Sequence, residues 1–183
     1  MVTVLPMRQL LGDEVSLIAR ATAVCSAVAD PELPVVSIGD LGIVRGVEID
    51  AGGCVHVVLT PTYSGCPATA VIRHDVVSAL TEAGFDRVEI RTALAPAWTT
   101  DWITDAGRRK LAEHGIVPPS GVRVIGPASG SGAHAHVDVA LTMRCPRCGS
   151  LDTKLVSRFG STACQAMYRC SSCLEPFDAI KPY

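Results

Sequence analysis

The last third of this chain takes its fold from two short stretches, Cys145-Pro146-Arg147-Cys148-Gly149 and Cys170-Ser171-Ser172-Cys173. Each is a C-x2-C knuckle, a spacing that turns two thiolates toward one point. Two such knuckles complete a tetrahedral shell of four sulfurs, which leaves no open position on the metal and so indicates a structural site. The intervening segment can form a β-hairpin. The predicted ligands are Cys145, Cys148, Cys170 and Cys173.

Zinc is the predicted metal, and iron is its main competitor, because a knuckle followed by glycine also occurs in rubredoxin-like iron sites. A redox dithiol formed by Cys145 and Cys148 is a further alternative. A thioredoxin-like dithiol, however, opens a helix after a strand and needs no second knuckle. So small a module cannot fold on aliphatic burial alone, and a metal can supply on the order of 10 kcal/mol of folding free energy.

The bulk composition describes a compact protein with an aliphatic core. Of 183 residues, 48% are hydrophobic and 19% are charged, which excludes disorder over most of the chain. The net charge of -2 does not indicate binding to nucleic acid or to an anionic membrane surface, both of which attract basic proteins. Residues 1–13 lack the layout of a secretory signal, and no stretch approaches membrane-spanning length. A cytoplasmic location is therefore expected, where cysteines bind metals or take part in reactions rather than form disulfides.

Hydrophobic periodicity and turn signals predict an αββαβα order before the knuckles. Asp50-Ala51-Gly52-Gly53 has the composition of a hairpin turn, and Pro67 and Gly84 begin and end the second helix. The predicted elements are a helix at 16–29, strands at 43–49 and 55–60, a helix at 67–83, a strand at 87–91 and a helix at 101–114.

The domain organisation follows from a change of composition after this α/β part. Residues 1–118 form the predicted α/β domain, residues 119–135 a Gly/Ser/Pro-rich linker, and residues 136–183 a β-rich four-cysteine ribbon. Apolar residues alternate from Val137 to Met143, so a strand is expected to lead into Cys145.

Cys66 is the thiol with the strongest indication of a function. Since Pro67 takes the first helical position, Cys66 is expected at or beside the N-cap, where free N–H groups and the helix dipole favour an anion. The thiolate should then be well populated and able to attack a substrate or bind a metal. The alternative, a cysteine that only caps or packs, stays open on local chemistry alone.

The other cysteines and the histidines have structural interpretations. Cys25 and Cys54 occupy apolar positions and are expected to be buried. Cys164 lies between the knuckles and could act as a fifth thiol, although a structural role is favoured. The histidines have no second ligand at metal spacing and are expected to be surface or hydrogen-bonded side chains: His56, His74, His114, His134 and His136.

Three motifs in the first two thirds of the chain together resemble the iron–sulfur assembly domain shared by bacterial SufT and its eukaryotic cytosolic relatives. They are Asp30-Pro31-Glu32-Leu33-Pro34, Asp40-Leu41-Gly42 and Thr60-Pro61-Thr62-Tyr63-Ser64-Gly65-Cys66-Pro67. The resemblance implies an α/β assembly domain with Cys66 as the functional thiol. It also implies a supporting loop that includes Asp40, Thr62 and Ser64.

Further segments make the chain similar to the PaaD family of phenylacetate-degradation proteins over nearly its whole length. They are Trp98-Thr99-Thr100-Asp101-Trp102-Ile103, the two knuckles, Phe159-Gly160-Ser161-Thr162-Ala163-Cys164 and Glu175-Pro176-Phe177. This resemblance implies an accessory role for the multicomponent oxygenase that epoxidises phenylacetyl-CoA. The implied partners are its oxygenase or reductase subunits, and the implied cofactors are a structural zinc and a transient iron or iron–sulfur cluster.

Three functions therefore compete. In the first, the chain is a non-catalytic assembly factor, Cys66 binds iron or cluster transiently, and the ribbon holds or recruits a client. In the second, it is a thiol-dependent redox or transfer enzyme, but no base can be assigned to Cys66 from spacing. In the third, it is an interaction module whose ribbon docks other proteins.

Overall fold

The computed structural model describes residues 7–118 and 143–182. They fall into two compact units that part between His114 and Gly115. The predicted linker at 119–135, with His134, and the neighbouring stretch 136–142, with His136 and most of the predicted strand, lie outside the described residues. Along the described part of the chain, no helix has the length and apolar character that crossing a membrane requires.

The first unit has the predicted αββαβα order and is a mixed α/β fold. Between β3 and α3 a short 3-10 turn covers Thr100–Trp102. Its elements are α1 (Met7–Ala27), β1 (Val44–Ile49), β2 (Val55–Leu59), α2 (Thr69–Glu82), β3 (Val88–Thr92) and α3 (Asp105–Glu113).

The three strands form one sheet with β2 in the centre. β1 runs antiparallel to β2 through the predicted turn, which Gly53 closes at a φ of 78°. β3 runs parallel to β2, because α2 carries the chain back across the sheet. α1 packs against β1 and α2. The buried residues of this unit are aliphatic and include Ala21, Cys25, Ile38, Val55, Val57, Ile72, Val76 and Leu80.

All three helices begin elsewhere than predicted. α1 begins at Met7 rather than at residue 16, and α2 begins at Thr69 rather than at residue 67. α3 begins at Asp105 rather than at residue 101, since the Thr104 hydroxyl accepts a hydrogen bond from the Gly107 N–H and so caps the helix there.

The second unit is an antiparallel three-stranded sheet in the order β4 (Thr153–Ser157), β5 (Gln165–Cys170) and β6 (Pro176–Ile180). The hairpin predicted between the knuckles is therefore confirmed. Tyr168 and Phe177 stack with their ring centroids 5.9 Å apart. The core of this unit consists of Val117, Met143, Cys145, Ala166, Tyr168, Cys170, Phe177 and Ala179.

Candidate functional site

The two knuckles bring their four sulfurs to one place. The Sγ atoms of Cys145 and Cys173 lie 3.6 Å apart, as do those of Cys148 and Cys170. All four lie within 4.8 Å of one another. A tetrahedron with metal–sulfur bonds of 2.3 Å has edges of about 3.8 Å, so the arrangement fits a metal ion bound by four thiolates. The predicted ligands thus converge as their spacing requires.

Each knuckle turns back on itself through a residue with left-handed backbone. Gly149 follows the first knuckle at a φ of 73°, and Leu174 follows the second at 65°. The Cys145 N–H donates to the Ser150 carbonyl, and the Cys170 N–H donates to the Glu175 carbonyl, both at 2.9 Å. Two knuckles of different sequence therefore reach the same geometry, although only one of them has a glycine at the left-handed position.

Cys170 and Cys173 differ in acidity. Backbone N–H groups of Cys173 and Ser172, with help from neighbouring thiols, lower the pKa of Cys170 to about 6 despite desolvation. The pKa of Cys173 rises to about 12 in spite of the Glu175 N–H, because desolvation and hydrogen bonds with the other three thiols raise it. A metal that binds here must displace the proton of Cys173.

Cys66 lies between two consecutive turns that precede α2. Its N–H donates to the Tyr63 carbonyl at 3.0 Å, and its carbonyl accepts from the Thr69 N–H at 3.2 Å. The N-cap of α2 is Ala68, with no capping side chain. The thiol therefore lies two residues before the cap, in a loop, rather than at the start of the helix.

The acidity predicted for Cys66 is wrong. Partial burial raises the pKa of the thiol, and the carboxylates of Glu32 and Asp30 raise it further. The Ala68 N–H and a hydrogen bond with the Thr69 side chain work in the opposite direction without reversing the shift. The half-buried thiol is consequently protonated near neutral pH, and its surroundings favour a cation rather than a free anion.

These two carboxylates are site residues that sequence reasoning missed. The Oδ1 of buried Asp30 accepts hydrogen bonds from the N–H groups of Glu32 and Leu33 at 2.9 and 2.8 Å, which orders the loop. The only sequence signal is the motif Asp30-Pro31-Glu32, whose proline indicates no more than a loop. Nothing local in the sequence indicates that this loop reaches Cys66.

Asp40, the first residue of the predicted supporting loop, has a scaffolding position. Its carboxylate accepts from the Lys110 Nζ at 2.6 Å and from the Ser37 N–H at 2.9 Å, and its carbonyl accepts from the Thr104 N–H at 2.9 Å. Desolvation raises the pKa of Asp40, but the hydrogen bonds from Lys110 and Ser37 to its carboxylate outweigh this effect and hold the pKa below its ordinary value. The structure thus ties Asp40 to the start and the body of α3.

Thr62 and Ser64 lie on the wall of an open cleft of about 410 Å³ in the segment that leads to Cys66. Tyr63, Leu94 and Trp98 form much of its apolar lining, and both Tyr63 and Leu94 are well exposed. The Trp98 indole N–H donates to the Leu41 carbonyl at 2.8 Å and is thereby held in place. A cleft with apolar walls therefore lies next to the loop that bears the thiol.

The predicted burial is confirmed for the two cysteines at apolar positions, while the role of Cys164 stays a prediction. Cys25 and Cys54 are buried, and burial raises the pKa of Cys25 to about 11. Cys164 is half-buried, with its sulfur 3.0 Å from the Thr162 hydroxyl. His74 and His114 are exposed, as expected.

His56 departs from its prediction. A second potential ligand is not expected near it, but a ring nitrogen of His56, an oxygen of Asp50 and the sulfur of Cys54 lie within 4.8 Å of one another. The hairpin turn between β1 and β2 folds Asp50 back beside Cys54, which is why these side chains meet. The spacing of the three residues is short enough that the predicted turn already implies their proximity.

Fold and site together define a class of protein: an iron–sulfur cluster assembly domain followed by a zinc β-ribbon. The family model described as "Iron-sulfur cluster assembly protein" matches residues 19–92, and the one described as "PaaD zinc beta ribbon domain" matches residues 130–181. A crystal structure of a domain of unknown function, DUF59, from Bacillus anthracis has 26% identity and a TM-score of 0.52, covering 55% of this chain and 96% of that one.

Relatives narrow the class to one family. An Escherichia coli protein provisionally named as a component of the 1,2-phenylacetyl-CoA epoxidase is 48% identical over 87% of this chain and 89% of its own length. The chain therefore belongs to the PaaD family. Two proteins named Fe-S protein maturation auxiliary factor match less than half of the chain. The Porphyromonas gingivalis protein is 34% identical over 46% of this chain and 80% of its own length. YitW of Bacillus subtilis is 37% identical over 40% of this chain and 72% of its own length.

Proposed function

We propose that this chain is a non-catalytic accessory factor for the maturation of iron–sulfur or other iron proteins, and that Cys66 binds iron or a cluster transiently as cargo. The observation that carries the proposal is a half-buried thiol beside the carboxylates of Asp30 and Glu32. This thiol lies within the residues that match the iron–sulfur cluster assembly family.

The electrostatics of the loop suit a cation as the ligand. Negative neighbours disfavour a free thiolate, which is why the pKa of Cys66 is raised, but they stabilise a positive ion placed between them and the sulfur. Binding of Fe²⁺ would release the thiol proton. A single thiol in a half-buried loop leaves room for ligands from a client, and that suits transfer better than storage.

An enzymatic role for Cys66 has less support. A cysteine nucleophile is normally activated by a lowered pKa or by an adjacent base, and the pKa of Cys66 is raised. The groups that act on this thiol from the described residues are two carboxylates, a backbone N–H and the Thr69 side chain. A thiol redox or transfer enzyme would show turnover with thiol or thioester substrates, and we expect none.

The proposed clients are the iron-containing components of the phenylacetyl-CoA epoxidase, either the oxygenase or the reductase. The name of the Escherichia coli relative points to that system, and the names of the two shorter relatives point to maturation of Fe-S proteins. An accessory role in the maturation of that oxygenase agrees with both kinds of name.

For the ribbon we propose a resident zinc and a role in recruiting the client. Four thiolates leave no open position on the metal, so the ribbon holds its own ion rather than a cargo. Large apolar side chains exposed on this unit could contact a client: Leu151, Leu155, Val156, Phe159 and Leu174. Metal analysis of the purified chain distinguishes zinc from iron; one iron and no zinc per chain would reject the zinc assignment.

The decisive test is the iron content of epoxidase components from cells that carry Cys66→Ser. We expect a normal zinc content of the chain together with iron-depleted clients, since only the cargo thiol is lost. Cys164→Ser removes another half-buried cysteine and should leave client iron unchanged. A normal iron load in the Cys66→Ser strain would reject the proposal. A pure interaction module would tolerate Cys66→Ser and fail on Cys170→Ser, which unfolds the ribbon.

A further inference from the structure

Three different kinds of metal ligand meet at the hairpin turn between β1 and β2. A carboxylate oxygen of Asp50, the sulfur of Cys54 and a ring nitrogen of His56 lie within 4.8 Å of one another. We propose that Asp50, Cys54 and His56 form a second metal site, which takes a divalent transition-metal ion such as Zn²⁺, Co²⁺ or Fe²⁺. This site is independent of the function of Cys66.

Spacing supports the site. The Asp50 Oδ2 lies 3.2 Å from the His56 Nε2. Oxygen and nitrogen ligands bound at about 2.0–2.1 Å in a tetrahedron are separated by about 3.3 Å, so the pair already has the spacing of one edge. With the Cys54 sulfur as the third ligand, a fourth position stays open for water or another ligand. Borderline divalent ions accept such a mixed set of sulfur, nitrogen and oxygen.

The ligands are themselves held by neighbours in the way that metal ligands commonly are. The His56 Nδ1, which faces away from Asp50, lies 3.3 Å from the Glu89 Oε2, the carboxylate–histidine arrangement that orients an imidazole toward a metal. The Asp50 Oδ1 accepts from the N–H groups of Gly52 and Cys54, both at 2.9 Å, which leaves Oδ2 for the ion. The same hydrogen bonds hold the pKa of Asp50 below its ordinary value.

The surface around these residues is acidic. Glu48 and Glu89 are the register partners of His56 on β1 and β3, so carboxylates flank the imidazole on both sides. A cleft of about 460 Å³ opens here; the described residues that line it include the carboxylates of Glu48, Asp50 and Glu89 and the guanidinium of Arg91, and Arg87 donates to the Gly52 carbonyl of the turn, so carboxylates outnumber cations. An ion can therefore approach from solvent through a region of negative charge.

The test uses the full-length chain without a histidine tag, with Cys66→Ser introduced so that the cargo thiol binds no ion and with the ribbon first filled with Zn²⁺. Co²⁺ is then titrated while bound cobalt, released zinc and the thiolate-to-cobalt charge-transfer band are measured. We expect one further equivalent of Co²⁺ without release of zinc, with a band about a quarter as intense as that of a four-thiolate cobalt ribbon. Failure of this chain to bind this equivalent would overturn the proposal.

Variants assign the bound ion to the turn. His56→Ala, which changes a partly exposed side chain, and Cys54→Ser should each abolish the second equivalent while the ribbon keeps its zinc. His74→Ala, on the exposed face of α2, should bind as the parent chain does. Glu89→Gln should weaken binding roughly 10- to 100-fold. Unchanged binding by His56→Ala and Cys54→Ser would overturn the proposal, since the ion would then lie elsewhere.

Discussion

The two units of this chain hold their characteristic thiols in opposite environments. In the ribbon, four sulfurs lie within 4.8 Å of one another, two of the pairs at 3.6 Å, and this spacing fits the shell of a tetrahedral ion. In the first unit, a single half-buried sulfur lies near two carboxylates, and a cleft opens beside its loop. A complete set of ligands keeps an ion, whereas an incomplete set can take one up and pass it on.

The units also differ in what stabilises them. The first has an aliphatic core around a mixed sheet, while the core of the second includes two of its four proposed metal ligands, Cys145 and Cys170. Loss of metal should therefore affect the two units very differently. Four predictions test this contrast, from the largest effect to the smallest.

Chelation of the metal, or Cys170→Ser, should unfold the ribbon and leave the first unit folded. The expected loss is on the order of 10 kcal/mol of folding free energy for the ribbon. Hydrogen exchange should show unprotected amides in β4–β6 and protected amides in β1–β3. Cys164→Ser, outside the four-sulfur cluster, should retain both metal and protection. Protected β4–β6 amides in a metal-free chain would contradict the account.

Gly42→Ala should destabilise the first unit by about 3 kcal/mol while the ribbon keeps its metal. Gly42 has a φ of 67°, and an added Cβ would overlap the carbonyl oxygen of Trp102. Gly84→Ala is the matched control, because Gly84 has a φ of 88° and open space around its Cβ position. It should cost only about 1 kcal/mol. Urea unfolding measures the destabilisation by each variant, and equal destabilisation would show that the overlap with the Trp102 carbonyl contributes nothing.

Asp40→Asn should lower the free energy of unfolding of the first unit by about 2 kcal/mol, because it weakens charged hydrogen bonds from Lys110 and Ser37. The folded-state pKa of Asp40 lies below its ordinary value of 3.8, so this stabilisation is present above pH 3.8 and disappears as the pH falls through the lowered pKa. Urea titrations at several pH values should show the two proteins converging at low pH. The exposed Asp101→Asn is the control, and a pH-independent gap would contradict the assignment.

Glu32→Gln should shift the pH profile of Cys66 alkylation to lower pH without unfolding the chain. The carboxylate of Glu32 helps to raise the pKa of this thiol, and the neutral amide does not. Mass spectrometry of iodoacetamide-treated protein follows Cys66 separately from the ribbon thiols. Glu113→Gln, on the exposed end of α3, should leave the profile unchanged. An unshifted profile in Glu32→Gln would show that Glu32 does not act on the thiol.

Short-range patterns in the sequence were sufficient for most of the fold. The knuckles at 145–148 and 170–173, the turn at 50–53 and the order of helices and strands depend on residues a few positions apart. The start of α2 was misplaced for a local reason as well. Pro67 suits a first helical position, but the turns closed by the Cys66 N–H and carbonyl hold this segment outside the helix.

The chemistry of the sites depends on contacts that span more of the chain. Glu32 precedes Cys66 by 34 residues, and His56 precedes Glu89 by 33, so the sequence gives no indication of either pairing. The parallel pairing of β2 with β3 brings Glu89 to His56. The environment of a thiol is decided by such long-range contacts, and for that reason the acidity of Cys66 was predicted with the wrong sign.

The most direct test of the contrast between the two thiol environments is the iron bound by zinc-loaded, full-length chain under anaerobic conditions. Cys54→Ser is first introduced into every chain to remove the hairpin ligand. In that background, the chain with no further change and the Cys164→Ser chain should bind iron while each retains one zinc per chain. The Cys66→Ser chain should retain the zinc but bind no iron. Equal iron binding by the Cys66→Ser chain, or iron bound only as zinc leaves, would contradict the account.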